Sequence, residues 1–118
     1  MRKTVAKRWA TALRGNYRQV CGALHVKGKG YCVLGVLCDI APKHLGTWQN
    51  GKLKNGQSEG FGGPGEVVTG RLPQSVRAWA RMKSTNGRLG DASLAGLNDS
   101  GRSFLELADL IEQNAEKL

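Results

Sequence analysis

The longest apolar run in the chain is Tyr31 to Ala41, YCVLGVLCDIA, interrupted by a single charge at Asp39. In a chain of 118 residues such a run belongs at the centre of the core. A run this short fits a buried strand and a buried helix equally by periodicity. The glycine turn before it and Pro42 after it favour a strand ending near Cys32 or Val33, then a short buried helix from Val36 to Ile40. Upstream, Val5, Trp9 and Leu13 recur at helical spacing with Ala6, Ala10 and Ala12 between them, and Gly15 follows at a natural C′ position. This predicts an amphipathic helix over residues 3–14 with Trp9 buried. Residues 23–26 alternate weakly and run into Lys27-Gly28-Lys29-Gly30, which predicts a short hairpin with two lysines at its tip.

From residue 43 to residue 70 the pattern is lost, with eight glycines between Gly46 and Gly70 and EGFGGPG in the middle. A long glycine-rich loop is predicted, with one edge strand near Glu66 to Thr69. Trp48 and Phe61 argue against plain disorder, and Trp48 is the expected pin. Leu72-Pro73 opens a third helix whose apolar stripe is Val76, Trp79 and Ala80. Asn86-Gly87 reads as a turn, Leu94 and Leu97 as one or two helical turns, and Asn98-Asp99-Ser100-Gly101 as a turn. Ser103 and Glu106 form a capping box ahead of Phe104, Leu107, Ala108 and Ile111, so a final helix spans about residues 103–115. Together these elements predict a helix-rich α+β single domain over residues 1–118, with a short β-hairpin or small antiparallel sheet and a long glycine-rich loop.

Charge adds direction to this picture. Residues 1–90 carry 16 Lys and Arg against 3 acids, a balance of +13, while residues 91–118 carry 2 against 6, a balance of −4. Either the acidic tail packs near the basic first helix and the two offset, or the front of the molecule meets an anionic partner. The three cysteines are an odd number and no secretory signal pattern is present, so reduced thiols in a cytoplasm are expected. The basic, acid-free N-terminus also reads as a transit peptide, but it makes a good core-facing helix. No apolar run approaches the roughly twenty residues that cross a bilayer, so no membrane role is expected.

Candidate chemistry is sparse. Cys21, His25, Cys32, Cys38 and His44 lack the short paired spacing of a structural zinc site, and cysteines in an apolar run read as packing. The glycine-rich region lacks the lysine and hydroxyl of a phosphate loop, and it reads better as a mobile lid. Asp39, inside the apolar run, requires a partner. Basic residues interleaved with Trp9, Tyr17, Tyr31, Trp48 and Trp79 suit stacking against bases or nucleotides. The candidate ligand-binding residues are Lys7, Arg8, Arg14, Arg18, Lys27, Lys29, Trp48, Arg77, Arg81 and Asp99; no catalytic residue, metal ligand or cofactor is assigned.

RWATALRGNYRQVCGAL, GYCVLGVLCDIA, Trp48, LPQSVRAWA and LAGLNDSGRSFLELADLIE, in that order, resemble a group of small proteins commonly encoded by bacteriophages and prophages. The resemblance runs from about residue 8 to residue 113, with GYCVLGVLCDIA and LNDSGRSF its specific pieces. Members often have a second cysteine where this chain has Val33, which weakens any shared cysteine-pair function. The resemblance implies a host bacterial cytoplasm and a small binding protein of counter-defence or host takeover. The leading expectation is a non-enzymatic protein that binds an anionic ligand, a nucleotide signal or nucleic acid. The alternatives are a protein inhibitor of a host enzyme or defence complex, and a small enzyme using Asp39, a histidine or Asp99; under any of these readings a homo-oligomer, paired through an exposed Trp or the final helix, is compatible with the sequence.

Overall fold

The computed structural model describes residues 1–50 and 58–118, with a Cα radius of gyration of 12.9 Å. The chain is an α+β domain. Helices α1 (Lys3–Leu13), α2 (Val33–Ile40), α3 (Gln74–Ala80), α4 (Leu94–Asp99) and α5 (Phe104–Gln113) alternate with short strands. The strands are β1 (His25–Val26), β2 (Gly30–Tyr31), β3 (Thr47–Asn50), β4 (Ser58–Gly63) and β5 (Glu66–Val68), followed by a separate two-residue hairpin of β6 (Arg88–Leu89) and β7 (Ala92–Ser93). Among the described residues no helix is long and apolar enough to cross a membrane.

The run at Tyr31–Ala41 forms α2, and Val33 to Cys38 are all buried. Helix α2 begins at Val33, three residues earlier than its sequence predicts. The early start is supplied by a local cap and by a distant residue: Cys32 Sγ accepts from the Gly35 amide at 3.4 Å, and the Val33 amide donates to Asn98 Oδ1 at 3.1 Å. Both donors belong to the first turn of a helix, where no backbone acceptor is available. Trp9 is fully buried on α1 and donates its indole N–H to the Val33 carbonyl at 2.9 Å, which locks α1 onto α2.

Helix α5 packs along α1, with the predicted capping box of Ser103 and Glu106 at its start. Arg14 binds Asp109 at 2.7 Å and Glu112 at 2.6 Å, and Lys3 lies 3.6 Å from Glu116. Part of the front-to-back charge asymmetry is therefore offset within the molecule.

The largest departure from the sequence reading lies in the glycine-rich region, where the described residues form three strands instead of a loop with one edge strand. β4 lies inside the main sheet, ordered β2-β1-β4-β3, and β5 also pairs with β4. Its glycines let neighbouring backbone approach: a β-carbon on Gly62 would sit 1.8 Å from the Glu66 carbonyl oxygen, and one on Gly60 would sit 2.7 Å from the Val67 side chain. A strand built this way carries few apolar side chains and shows little alternation. The predicted edge strand is present as β5, whereas the part of the predicted loop at residues 51–57 lies outside the described residues.

Candidate functional site

Register places an aromatic surface on one face of this sheet. His25 pairs with Tyr31 on one side and with Glu59 on the other, and Trp48 pairs with Phe61. Side chains two residues apart on a strand share a face, so Tyr31, His25, Glu59, Phe61 and Trp48 converge. The His25 and Tyr31 rings stack, with centroids 4.1 Å apart and planes 10° from parallel. Trp48 lies 5.1 Å from His25, 5.7 Å from Tyr31 and 4.9 Å from Phe61, and Tyr17 meets Tyr31 edge-on at 5.1 Å.

Asp39 finds its partners here. One carboxylate oxygen accepts from the Tyr17 hydroxyl at 2.5 Å and the other from the Trp48 indole N–H at 3.0 Å. The carboxylate leaves the apolar face of α2 and joins the segment after α1 to β3. Burial pushes the Tyr17 phenol well above its ordinary value, and the bond to Asp39 adds to the shift. Burial also raises Tyr31, with smaller contributions from Asp39 and Glu59. Both side chains are therefore neutral phenols at physiological pH.

Beside this wall, a groove of about 630 Å³ runs between the end of α1 and the hairpin of β1 and β2. Tyr17, His25 and Tyr31 line it, with Arg18 and Lys29 contributing positive charge and Ala12 and Gly15 contributing little bulk. The hairpin is held against the post-α1 segment by backbone: the Tyr31 amide donates to the Arg18 carbonyl at 2.8 Å, and the Val20 amide to the Tyr31 carbonyl at 2.9 Å. Gly30 has φ of 154°, and a β-carbon there would sit 2.3 Å from the Arg18 carbonyl oxygen. Only glycine brings the tip, and Lys29 with it, this close to Arg18.

His25 Nδ1 is buried, has no hydrogen-bond partner among the described residues, and lies 3.6 Å from Glu59 Oε2. Among those residues no three His, Cys, Asp or Glu side chains group as metal ligands would. Cys32 and Cys38 are buried in α2 and its cap, and burial pushes the Cys32 thiol up to about 11 and the Cys38 thiol well upward. Thiols held protonated are poor nucleophiles, as their place in the apolar run suggested.

The sequence candidates separate into groups. Arg18, Lys29 and Trp48 come together at the groove and its wall, and Lys27 is exposed in the same hairpin turn. Lys7 and Arg8 are exposed on α1 beside Thr11 and Ile40. Arg14 is taken up by Asp109 and Glu112. Arg77 and Arg81 lie on and just after α3, whose end meets the opposite end of α1 through the Arg2 amide and the Ala80 carbonyl at 2.9 Å. Arg77 is further occupied by Gln74 and the Met82 carbonyl.

Asp99 accepts from the Gly22 amide at 3.0 Å, as a fastener for the loop before β1. Its neighbour Asn98, which the sequence reading treats only as a turn residue, is fully buried and holds that loop in place. Asn98 Oδ1 accepts from Gln19 Nε2 at 2.9 Å and from the Val33 amide, while Nδ2 donates to the Val20 carbonyl at 2.9 Å. An asparagine five residues before a capping box is the only local signal, and its partners lie far away in sequence.

The model of one family, described as a domain of unknown function (DUF8296), matches residues 1–115. No curated protein and no solved structure matches the chain.

Proposed function

The chain belongs to that family, and we propose that its groove binds a phosphorylated ligand of the nucleotide class, the base against the Tyr17, His25 and Tyr31 rings and the phosphate at Arg18 and Lys29. One observation carries this reading: the groove combines three aromatic rings with two cations, and no carboxylate is among its lining residues. Its volume of about 630 Å³ falls within the range of about 300–1,000 Å³ typical of small-molecule sites. A base stacked on an aromatic ring contributes about 1–3 kcal/mol, and a phosphate on Arg and Lys adds charge-assisted hydrogen bonds. In the phage setting that the sequence resembles, such a site would sequester a nucleotide signal or coat nucleic acid during host takeover.

Calorimetry at low salt with nucleoside mono- and triphosphates tests the reading. Binding is expected, and Arg18→Gln or Lys29→Gln is expected to weaken it roughly tenfold, equivalent to ~1.4 kcal/mol. Heats no larger than those of a nucleoside-free buffer, with nucleotides and oligonucleotides alike, would overturn it.

A further inference from the structure

Resting on that reading of the groove, we infer that its occupant is a strand of single-stranded nucleic acid, threaded along α1, and not a free nucleotide. The groove does not end at α1. Ala12 also lines a second groove of about 440 Å³, between α1 and the end of α2, together with Lys7, Arg8, Thr11 and Ile40. Arg8, Thr11, Ala12 and Gly15 recur three and four residues apart, so they form one stripe running up α1 and just past its end. Ala12, which lines both grooves, and Gly15 at the end of the stripe are small, and they leave room for a strand to pass from one groove to the other.

Four cations line the two grooves: Lys7 and Arg8 in one, Arg18 and Lys29 in the other. No carboxylate lines either groove, and none of the four cations forms a salt bridge among the described residues. Asp39, the carboxylate behind the aromatic wall, has one oxygen on Tyr17 and the other on Trp48. From Arg8 to Gly15 the rise along the helix is about 10 Å. One phosphate on one nucleotide meets only one end of such a track, whereas successive phosphates of a strand meet both. Tyr17, His25 and Tyr31 line the groove, and the unpaired bases of a single strand can stack on such aromatic groups, whereas a duplex keeps its base faces stacked inside.

Fluorescence anisotropy with a short labelled oligothymidylate or oligouridylate, competed by thymidine monophosphate, tests the track. The oligonucleotides are expected to bind at least tenfold tighter than the mononucleotide. Their affinity is expected to fall with salt at a log–log slope of about −3, from four contacts at ~0.7 each. Exchanging Lys7 and Arg8 together for Gln, both exposed and outside the core, is expected to lower that slope by about 1.4 and leave mononucleotide affinity unchanged. Unequal affinity for the two oligonucleotides would assign the strand as DNA or RNA within the same reading. Equal affinity for mononucleotide and oligonucleotide, indifference of oligonucleotide binding to Lys7→Gln and Arg8→Gln, or equal competition by duplex DNA would each overturn the strand while leaving the groove itself standing. If no oligonucleotide and no mononucleotide binds, the groove reading fails with it.

Discussion

Gly35 lies so close to Leu24 that a β-carbon at position 35 would sit 1.8 Å from the Leu24 carbonyl oxygen. That same carbonyl accepts from the Cys32 amide at 3.0 Å, so moving it away from position 35 would strain or break that bond. Gly35→Ala is therefore expected to lower stability by about 3 kcal/mol, at the upper end of what an added methyl costs in a filled interior. Urea denaturation followed by far-ultraviolet circular dichroism checks this. A midpoint within error of the parent protein would show that α2 can move away from Leu24.

Asn98 offers a second stability test with a different physical origin. Replacing it by Leu keeps the branched shape but leaves the Val33 amide and the Val20 carbonyl without their partner. An orphaned buried backbone group costs about 1–3 kcal/mol, so a loss of roughly 2–6 kcal/mol is expected for the pair. Amide hydrogen exchange adds a local signature. The amide of Val33 is expected to lose protection before the middle of α5 does, since only the former bonds to this side chain.

The carboxylate of Asp39 is exposed, and its removal is expected to act on the wall more than on the fold. Asp39→Ala frees the Tyr17 hydroxyl and the Trp48 indole, with a stability cost of about 1 kcal/mol. Trp48 emission is expected to shift to longer wavelength as the ring gains water, and groove affinity is expected to drop although residue 39 does not line the groove. Trp9 is buried and Trp79 lies on α3, so mutating each to Phe isolates the Trp48 signal.

Alkaline pH is expected to destabilise the fold. Burial raises the Cys32 thiol from its ordinary value of about 9 to about 11. A group whose folded value is raised binds its proton more tightly when folded, so its contribution is complete below about pH 9 and is lost as pH rises towards 11. Cys38 and the two tyrosines of the wall act in the same direction. Thermal melts between neutral pH and pH 10 check the sign, and Cys32→Ala is expected to flatten the lower part of the decline.

Much of the helical frame was legible in the sequence. Trp9 on α1, the capping box at Ser103 and the apolar stripe of α5 stand where helical spacing puts them, because each depends on neighbours within a turn or two. The start of α2 was not legible, since the acceptor for its first amide comes from Asn98, 65 residues away. β4 was hidden for a different reason. Gly60 and Gly62 serve the strand by having no side chain, which is also how a loop reads.

The site divides in the same way. Basic residues marked Arg18 and Lys29 as candidates, but charge alone could not separate them from Arg14, which α5 neutralises. Tyr17, His25 and Tyr31 gather only through the register of β1, β2 and β4 and through Asp39, relationships between segments with no imprint on local pattern.

The pairing of α1 with α5 also sets an order of events during synthesis. Phe104, at the start of α5, is translated 91 residues after Leu13, at the end of α1. At about 5–20 residues per second that interval is roughly 5–20 seconds. Throughout it, the apolar stripe of Val5, Trp9 and Leu13 lacks its largest covering partner, and Arg14 lacks both of its acids. The nascent basic helix is therefore most adhesive, to chaperones and to ribosomal RNA alike, just before the acidic tail is made to cover it.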